Sequence, residues 1–162
     1  MLLSTLLLVA AADAAHEPSI AVHLAKLRLG GSGVSWNAGP AVDFRVGPHW
    51  ALGGSGLLVY NGYLGLDAGV STCAHARRFE RGFYGRFELG TAWIALNDSG
   101  GGSGRLGLGP AWRFPIGDHK YVDPIGLIDL GLELRGEVGF GGTPLEGATV
   151  GLAFEVSGGL GL

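Results

Sequence analysis

The chain has 162 residues, enough for one domain, yet only 15% are charged against about a quarter in an ordinary globular domain. A formal net charge of −3 with no basic run excludes nucleic acid as the expected partner. The single cysteine, Cys73, excludes an intrachain disulfide, and the five scattered histidines suggest no metal centre or other cofactor.

Two further features set the chain apart. It carries 32 glycines and 47% hydrophobic residues, and its only lysines are Lys26 and Lys120. A soluble surface usually relies on charge to keep molecules apart, so this surface is expected to meet something other than water.

Residues 1–15 read as a secretory signal peptide, followed by one domain over 16–162. Leu2 to Ala12 is an apolar run, and Ala12-Asp13-Ala14 offers a small-x-small cleavage site, with cleavage expected near Ala14. The run is too short for a membrane-spanning helix. No Lys or Arg precedes Lys26, which leaves the true start and cleavage site open.

Beyond the signal, apolar residues recur with period two, the mark of a strand rather than a helix. Turn signals cut the chain into segments 20–30, 34–46, 50–60, 63–72, 82–96, 104–115, 123–138 and 147–161. In the first segment Lys26 and Arg28 share parity with Ile20, Val22 and Leu24, so a bulge or register shift is required there. The second opposes Val42, Phe44 and Val46 to Ala41, Asp43 and Arg45. The third is the least regular, and a cut merging 50–70 would give seven segments. Asn61-Gly62 then signals a tight hairpin, and Leu64, Leu66, Ala68 and Val70 oppose Gly65, Asp67 and Gly69.

The later segments are cleaner. Phe87, Leu89 and Trp93 oppose Arg86, Glu88, Gly90 and Ala92. Leu106, Leu108, Trp112 and Phe114 oppose Gly107, Gly109, Ala111 and Arg113. Ile128, Leu130, Leu132, Leu134, Val138 and Phe140 oppose Asp129, Gly131, Glu133, Arg135, Glu137 and Gly139. Val150, Leu152, Phe154 and Val156 oppose Gly151, Ala153 and Glu155. Gly39–Phe44 also echoes Gly109–Phe114, a likeness between two hairpins. Pro40 and Pro110 each delete a ladder donor, and both are expected near the outer ends of their strands.

The fold expected is all-β: an eight-stranded antiparallel up-and-down transmembrane β-barrel. The charged face is interleaved with Gly, Ala and Ser, which suits a narrow interior in which a few long side chains need small neighbours. The apolar face is bulky and carries aromatics near strand ends, as lipid-facing walls do. The interior charge network is therefore expected to comprise Asp43, Arg45, Asp67, Arg86, Glu88, Arg105, Arg113, Asp129, Glu133, Arg135, Glu137 and Glu155. The lipid-facing set is Phe44, Leu64, Leu66, Phe87, Leu89, Trp93, Trp112, Phe114, Leu130, Leu132, Leu152 and Phe154. Unpaired buried charges are costly, so the interior should be paired and plugged. A polar channel lining is the rival, as is a soluble lipocalin-like barrel with the faces reversed.

This pattern resembles the small outer-membrane β-barrels, the OmpA- and OmpX-like group. The likeness covers about residues 18–162 and rests on the strand pattern and on phrases such as Gly109–Phe114 and Ile128–Arg135. It implies both termini in the periplasm of a Gram-negative-type bacterium, with turns at 47–49, 73–81 and 116–122 on that side. It further implies insertion by the barrel assembly machinery, contact with outer-membrane lipid, and a monomer. A structural or interaction role in the envelope follows. The expected outer loops, such as Asn97–Ser103, are short, Gly/Ser-rich and flexible, offering few groups for ligand capture.

Two alternatives are a narrow channel or hydrophobic-compound transporter, and a lipid A-modifying enzyme. For the latter, His49 and Ser55 lie about 20 Å apart along an extended strand, and no catalytic pair emerges. No catalytic, cofactor or metal residue is expected.

Overall fold

The computed structural model describes residues 18–30, 36–60, 64–79, 81–96, 99–117, 125–140 and 147–162. The expected signal peptide and the Asn61-Gly62 turn lie outside them.

Eight strands follow in order: β1 (Ile20–Gly30), β2 (Trp36–Arg45), β3 (Trp50–Tyr60), β4 (Leu64–His75), β5 (Gly82–Leu96), β6 (Ser99–Ile116), β7 (Ile125–Phe140) and β8 (Gly147–Gly161). Each pairs antiparallel with its sequence neighbour, and β1 pairs with β8 to close the barrel. Closure leaves no free edge. The irregular third segment forms a complete strand, in register with β4 from Trp50↔Ala74 to Tyr60↔Leu64, so the count is eight.

The start of β1 and the end of β8 meet at one end of the barrel, here called the base. Ser19 and Ile20 donate from their backbone N–H groups to the Leu162 carbonyl at 2.8 and 3.1 Å, and the Leu162 N–H donates to the Ile20 carbonyl at 2.8 Å. The opposite end is the rim. Gly82 opens β5 at the base with φ +94°, a left-handed conformation that glycine adopts without steric cost.

The bulge required in β1 is present. Between β1 and β2 the register jumps from His23↔Ala41 to Lys26↔Gly39, and between β1 and β8 from His23↔Gly159 to Ala25↔Gly158. Leu24 is the extra residue and points outward with Ala25, which flips parity and carries Lys26 and Arg28 inside. Pro40 sits opposite the bulge, so its missing N–H falls where the ladder is already broken. On the other flank a Cβ at Gly159 would strike backbone atoms of Val22 and His23. Gly159→Val is therefore expected to destabilise the barrel by about 1–3 kcal/mol, read as a lower urea midpoint of the refolded protein.

Pro110 departs from expectation. It lies in the base half of β6, not near the outer end, and is tolerated for a reason it shares with Pro40. The β2–β3 ladder skips from Ala38↔Leu58 to Ala41↔Ser55, and the β6–β7 ladder from Leu108↔Leu134 to Ala111↔Gly131. Each Gly-Pro pair thus sits in a gap two residues long. The echo between the two segments is an echo of ladder geometry, on strands half a barrel apart.

Strand ends differ where glycine misled the reading. Ser99–Ser103, expected as flexible loop, belongs to β6 and continues the β5 ladder through Leu96↔Ser99. Gly102 and Ser103 also pair with Phe140 and Gly139 of β7. Strand β4 likewise runs on to His75, so the turn at this point of the base begins at Ala76.

A charged barrel interior as the candidate site

Apolar residues floor the barrel at the base. Ala21, Ala51, Cys73, Phe79, Tyr84, Ala111, Ile125 and Leu127 form one buried cluster. Phe79 enters it from the turn between β4 and β5 and is only 1% exposed. His75 packs on Tyr84 with ring centroids 4.8 Å apart and on Phe79 at 5.2 Å.

Above this floor Arg113 is the central cation. Its Nε donates to Asp129 Oδ1 at 2.8 Å, and its Nη2 to Asp129 Oδ2 at 2.8 Å, a bidentate pair. Nη2 also reaches Asp43 Oδ2 at 2.8 Å, and Nη1 donates to the Phe79 carbonyl at 3.1 Å. The guanidinium carbon stands 4.9 Å from the Phe79 ring centroid, within cation–π range. Tyr84 donates its hydroxyl to Asp129 at 2.9 Å, and His23 Nε2 lies 3.1 Å from Asp43. Asp43 and Arg113 occupy equivalent positions in the two echoing segments and meet across the lumen.

A second, larger network fills the middle. Glu88 is its hub, accepting from Arg28 Nη2 at 2.9 Å and Lys26 Nζ at 3.2 Å, and from Arg105. Glu155 pairs with Arg86 and lies 3.3 Å from both Lys26 and Arg28. Asp67 pairs with Arg105 and accepts from Asn37 Nδ2 at 2.9 Å. Glu133 stands 3.2 Å from Arg28. Towards the rim Arg135 lies 3.4 Å from Glu137, which also accepts from the Ser103 hydroxyl.

Glycines make this fit. A Cβ at Gly69 or Gly90 would press on the Arg105 guanidinium, and one at Gly107 on Glu133. Small inward residues are thus the space into which long ones fold.

Of the twelve residues assigned to the interior, ten are buried, and the Arg86 side chain is 12% exposed. Arg45 is half-buried at the base end of β2. All twelve residues assigned to the opposite face lie exposed on the outer wall. The sequence reading missed His23, Lys26, Arg28, Asn37, Ser103 and Ser157 in the interior. The charge at 26 and 28 and the stated need for a bulge could have recovered Lys26 and Arg28.

Two groups of three potential metal ligands occur among the described residues, His23/Asp43/Asp129 and Glu88/Glu133/Glu155. Each already surrounds a guanidinium, Arg113 and Arg28 respectively, which supplies the positive charge. His49 directs Nδ1 to the carbonyls of His75 and Arg77, both at 3.1 Å, and no contact joins it to Ser55 among the described residues.

The outer wall carries aromatics at two levels. Trp36, Tyr60, Trp93 and Phe140 stand near the rim, and Phe44, Trp50, Phe83, Trp112 and Phe114 near the base; all are exposed. Strand β3 carries one of each at its ends, Trp50 and Tyr60, eleven residues inclusive. At about 3.3 Å per residue and a tilt of about 40°, this separates the belts by roughly 25 Å along the barrel axis.

No protein-family model matches the chain, and no curated protein matches it. Among solved structures it is similar to the crystal structure of the N-terminal β-barrel domain of Pseudomonas aeruginosa OprF. The TM-score is 0.54 at 11% identity, over 90% of this chain and 99% of that chain. The likeness lies in the fold, a closed eight-stranded antiparallel β-barrel.

Proposed function

We propose that this chain, sharing the closed eight-stranded fold of that domain, is an integral outer-membrane protein with a structural or partner-anchoring role in the envelope. In this reading the base faces the periplasm and the rim the exterior. The chain acts as a monomer, inserted by the barrel assembly machinery.

The observation that carries the reading is the sorting of the wall. All eight strands expose large apolar side chains outward, while the buried acids and cations face one another inside. A continuous apolar exterior on this scale marks a membrane or partner surface. The aromatic belts stand about 25 Å apart, the height of the apolar band in such barrels. A lipocalin-like arrangement would need the faces reversed, and the structure turns them the other way.

The interior supports an anchor more than a conduit. Arg113 ties β2, β6 and β7 to the turn that carries Phe79, and Glu88 of β5 gathers cations from β1 and β6. Side chains fill the lumen of a barrel of this size. The reading assigns no catalytic residue.

Two measurements test it. Protein expressed with its signal should be recovered from the outer-membrane fraction and shift its mobility on a detergent gel between unboiled and boiled samples. In planar bilayers it should give no steady single-channel step. Recovery as a soluble periplasmic protein with no shift would overturn the membrane reading, and a steady conductance would replace the anchor with a channel.

A further inference from the structure

The turn between β4 and β5 carries Arg77, Arg78 and Arg81, all exposed at the base. The same sequence segment contains one acid, Glu80. These arginines line an open cavity of about 520 Å³ with Trp112, Phe114 and Pro115 of β6. Trp112 also borders a second hollow on the outer wall, an apolar groove of about 250 Å³ walled by Phe83, Pro110, Leu130, Leu132 and Phe154. The groove lies beside the two-residue gap in the β6–β7 ladder at Gly109-Pro110. A cationic cavity and an apolar groove thus share one tryptophan.

We propose that this composite surface binds one anionic glycerophospholipid, its phosphate among Arg77, Arg78 and Arg81 and an acyl chain along the groove. The inference rests on the membrane reading above, which puts the base aromatics at the interface and the arginine turn at headgroup depth. Arginine suits the phosphate because its planar fork can donate two hydrogen bonds to one phosphate group. Basic pockets beside apolar membrane surfaces recognise anionic headgroups on the same grounds. A free anion would use the arginines and leave the groove empty. A diacyl lipid uses both.

The test is native mass spectrometry of the full barrel in detergent. It is titrated separately with phosphatidylglycerol and with phosphatidylcholine of identical chains, then challenged with inorganic phosphate. The expected result is one retained phosphatidylglycerol, preferred at least about tenfold over phosphatidylcholine and not displaced by phosphate. The R77Q/R78Q/R81Q variant should lose that preference, while Trp112→Ala should weaken both lipids alike. Equal retention of the two lipids by the native chain would overturn the proposal. So would a preference unchanged in the triple variant, displacement by phosphate, or protein dimers in place of lipid adducts.

The heat-dependent gel shift, run on every sample, separates the two readings. A shifted barrel without lipid preference sinks only the lipid site, whereas loss of the shift in the native chain sinks the membrane reading beneath it. Should the triple variant fail to fold, the native lipid comparison and the single Arg77→Gln, on an exposed side chain, still decide.

Discussion

Arg113→Met should cost about 3–5 kcal/mol, the largest loss expected from any single interior substitution. Removing the guanidinium leaves Asp43 and Asp129 buried without their shared cation, and an uncompensated buried charge costs this much. It also frees the Phe79 carbonyl, which Arg113 holds at 3.1 Å, and with it the tie between the lumen and the base turn. The readout is the temperature at which the compact gel form converts to the extended one, expected to fall sharply. Adding Asp43→Asn and Asp129→Asn to Arg113→Met should restore much of the loss, since the stranded charges are then gone. A single variant as heat-resistant as the native barrel would show that water already screens this cluster, and the closed-network account would fail.

Leu134→Arg is expected to destabilise the membrane-inserted barrel by about 2–4 kcal/mol, the cost of a cation on a lipid-facing midplane position. Leu134 lies midway along β7, flanked across the ladders by Leu108 and Leu152, and all three are more than half exposed. The next residue, Arg135, is already an arginine and is buried in the lumen at 4% exposure. One step along the strand thus separates a costly arginine from an accommodated one. Urea titration of the barrel refolded into lipid vesicles measures the difference. A neutral substitution would mean that this wall faces water.

Period two made the fold legible, because an extended chain cannot hide which residues share a face. Ile128 to Phe140 alone distinguishes a strand from a helix. The eight strands were legible wherever turn residues flank alternating ones, as at Gly47-Pro48. Glycine was the obstacle. In Ser99–Ser103 it reads as loop because nothing alternates, yet the backbone pairs with β5 throughout and with β7 from Gly102 on, and needs no side chains to do so. Pro110 was misplaced for a related reason: the ladder gap that tolerates it is a relation between two strands, invisible in either one.

The interior cluster was only partly legible. Parity groups Asp129, Glu133, Arg135 and Glu137 without help, but cannot say which partner each meets across the lumen. Lys26 and Arg28 were hidden by the Leu24 bulge, since a single added residue inverts every assignment after it. His23 and Ser157 carried no signal at all, because a lone polar residue in an apolar strand has many explanations. The arginine turn was present in the sequence as three basic residues. Its link to Trp112 depends on a pairing between β5 and β6 that only the folded chain supplies.

The partners inside the barrel come from far apart in the chain: Arg28 and Glu88 are 60 residues apart, and His23 and Ser157 are 134. No sheet that stops short of β8 can satisfy Glu155, and none lacking β1 can neutralise Glu88 fully. Assembly therefore gains little from partial structures. A half-built sheet would present carboxylates and guanidinium groups to whatever surrounds it, and those groups keep their water until the last seam forms. Loop closure over such distances is slow and its reward is deferred. The β1–β8 seam, with its bulge and facing glycines, is then the step that commits the molecule, and a protein built this way should form in one cooperative event.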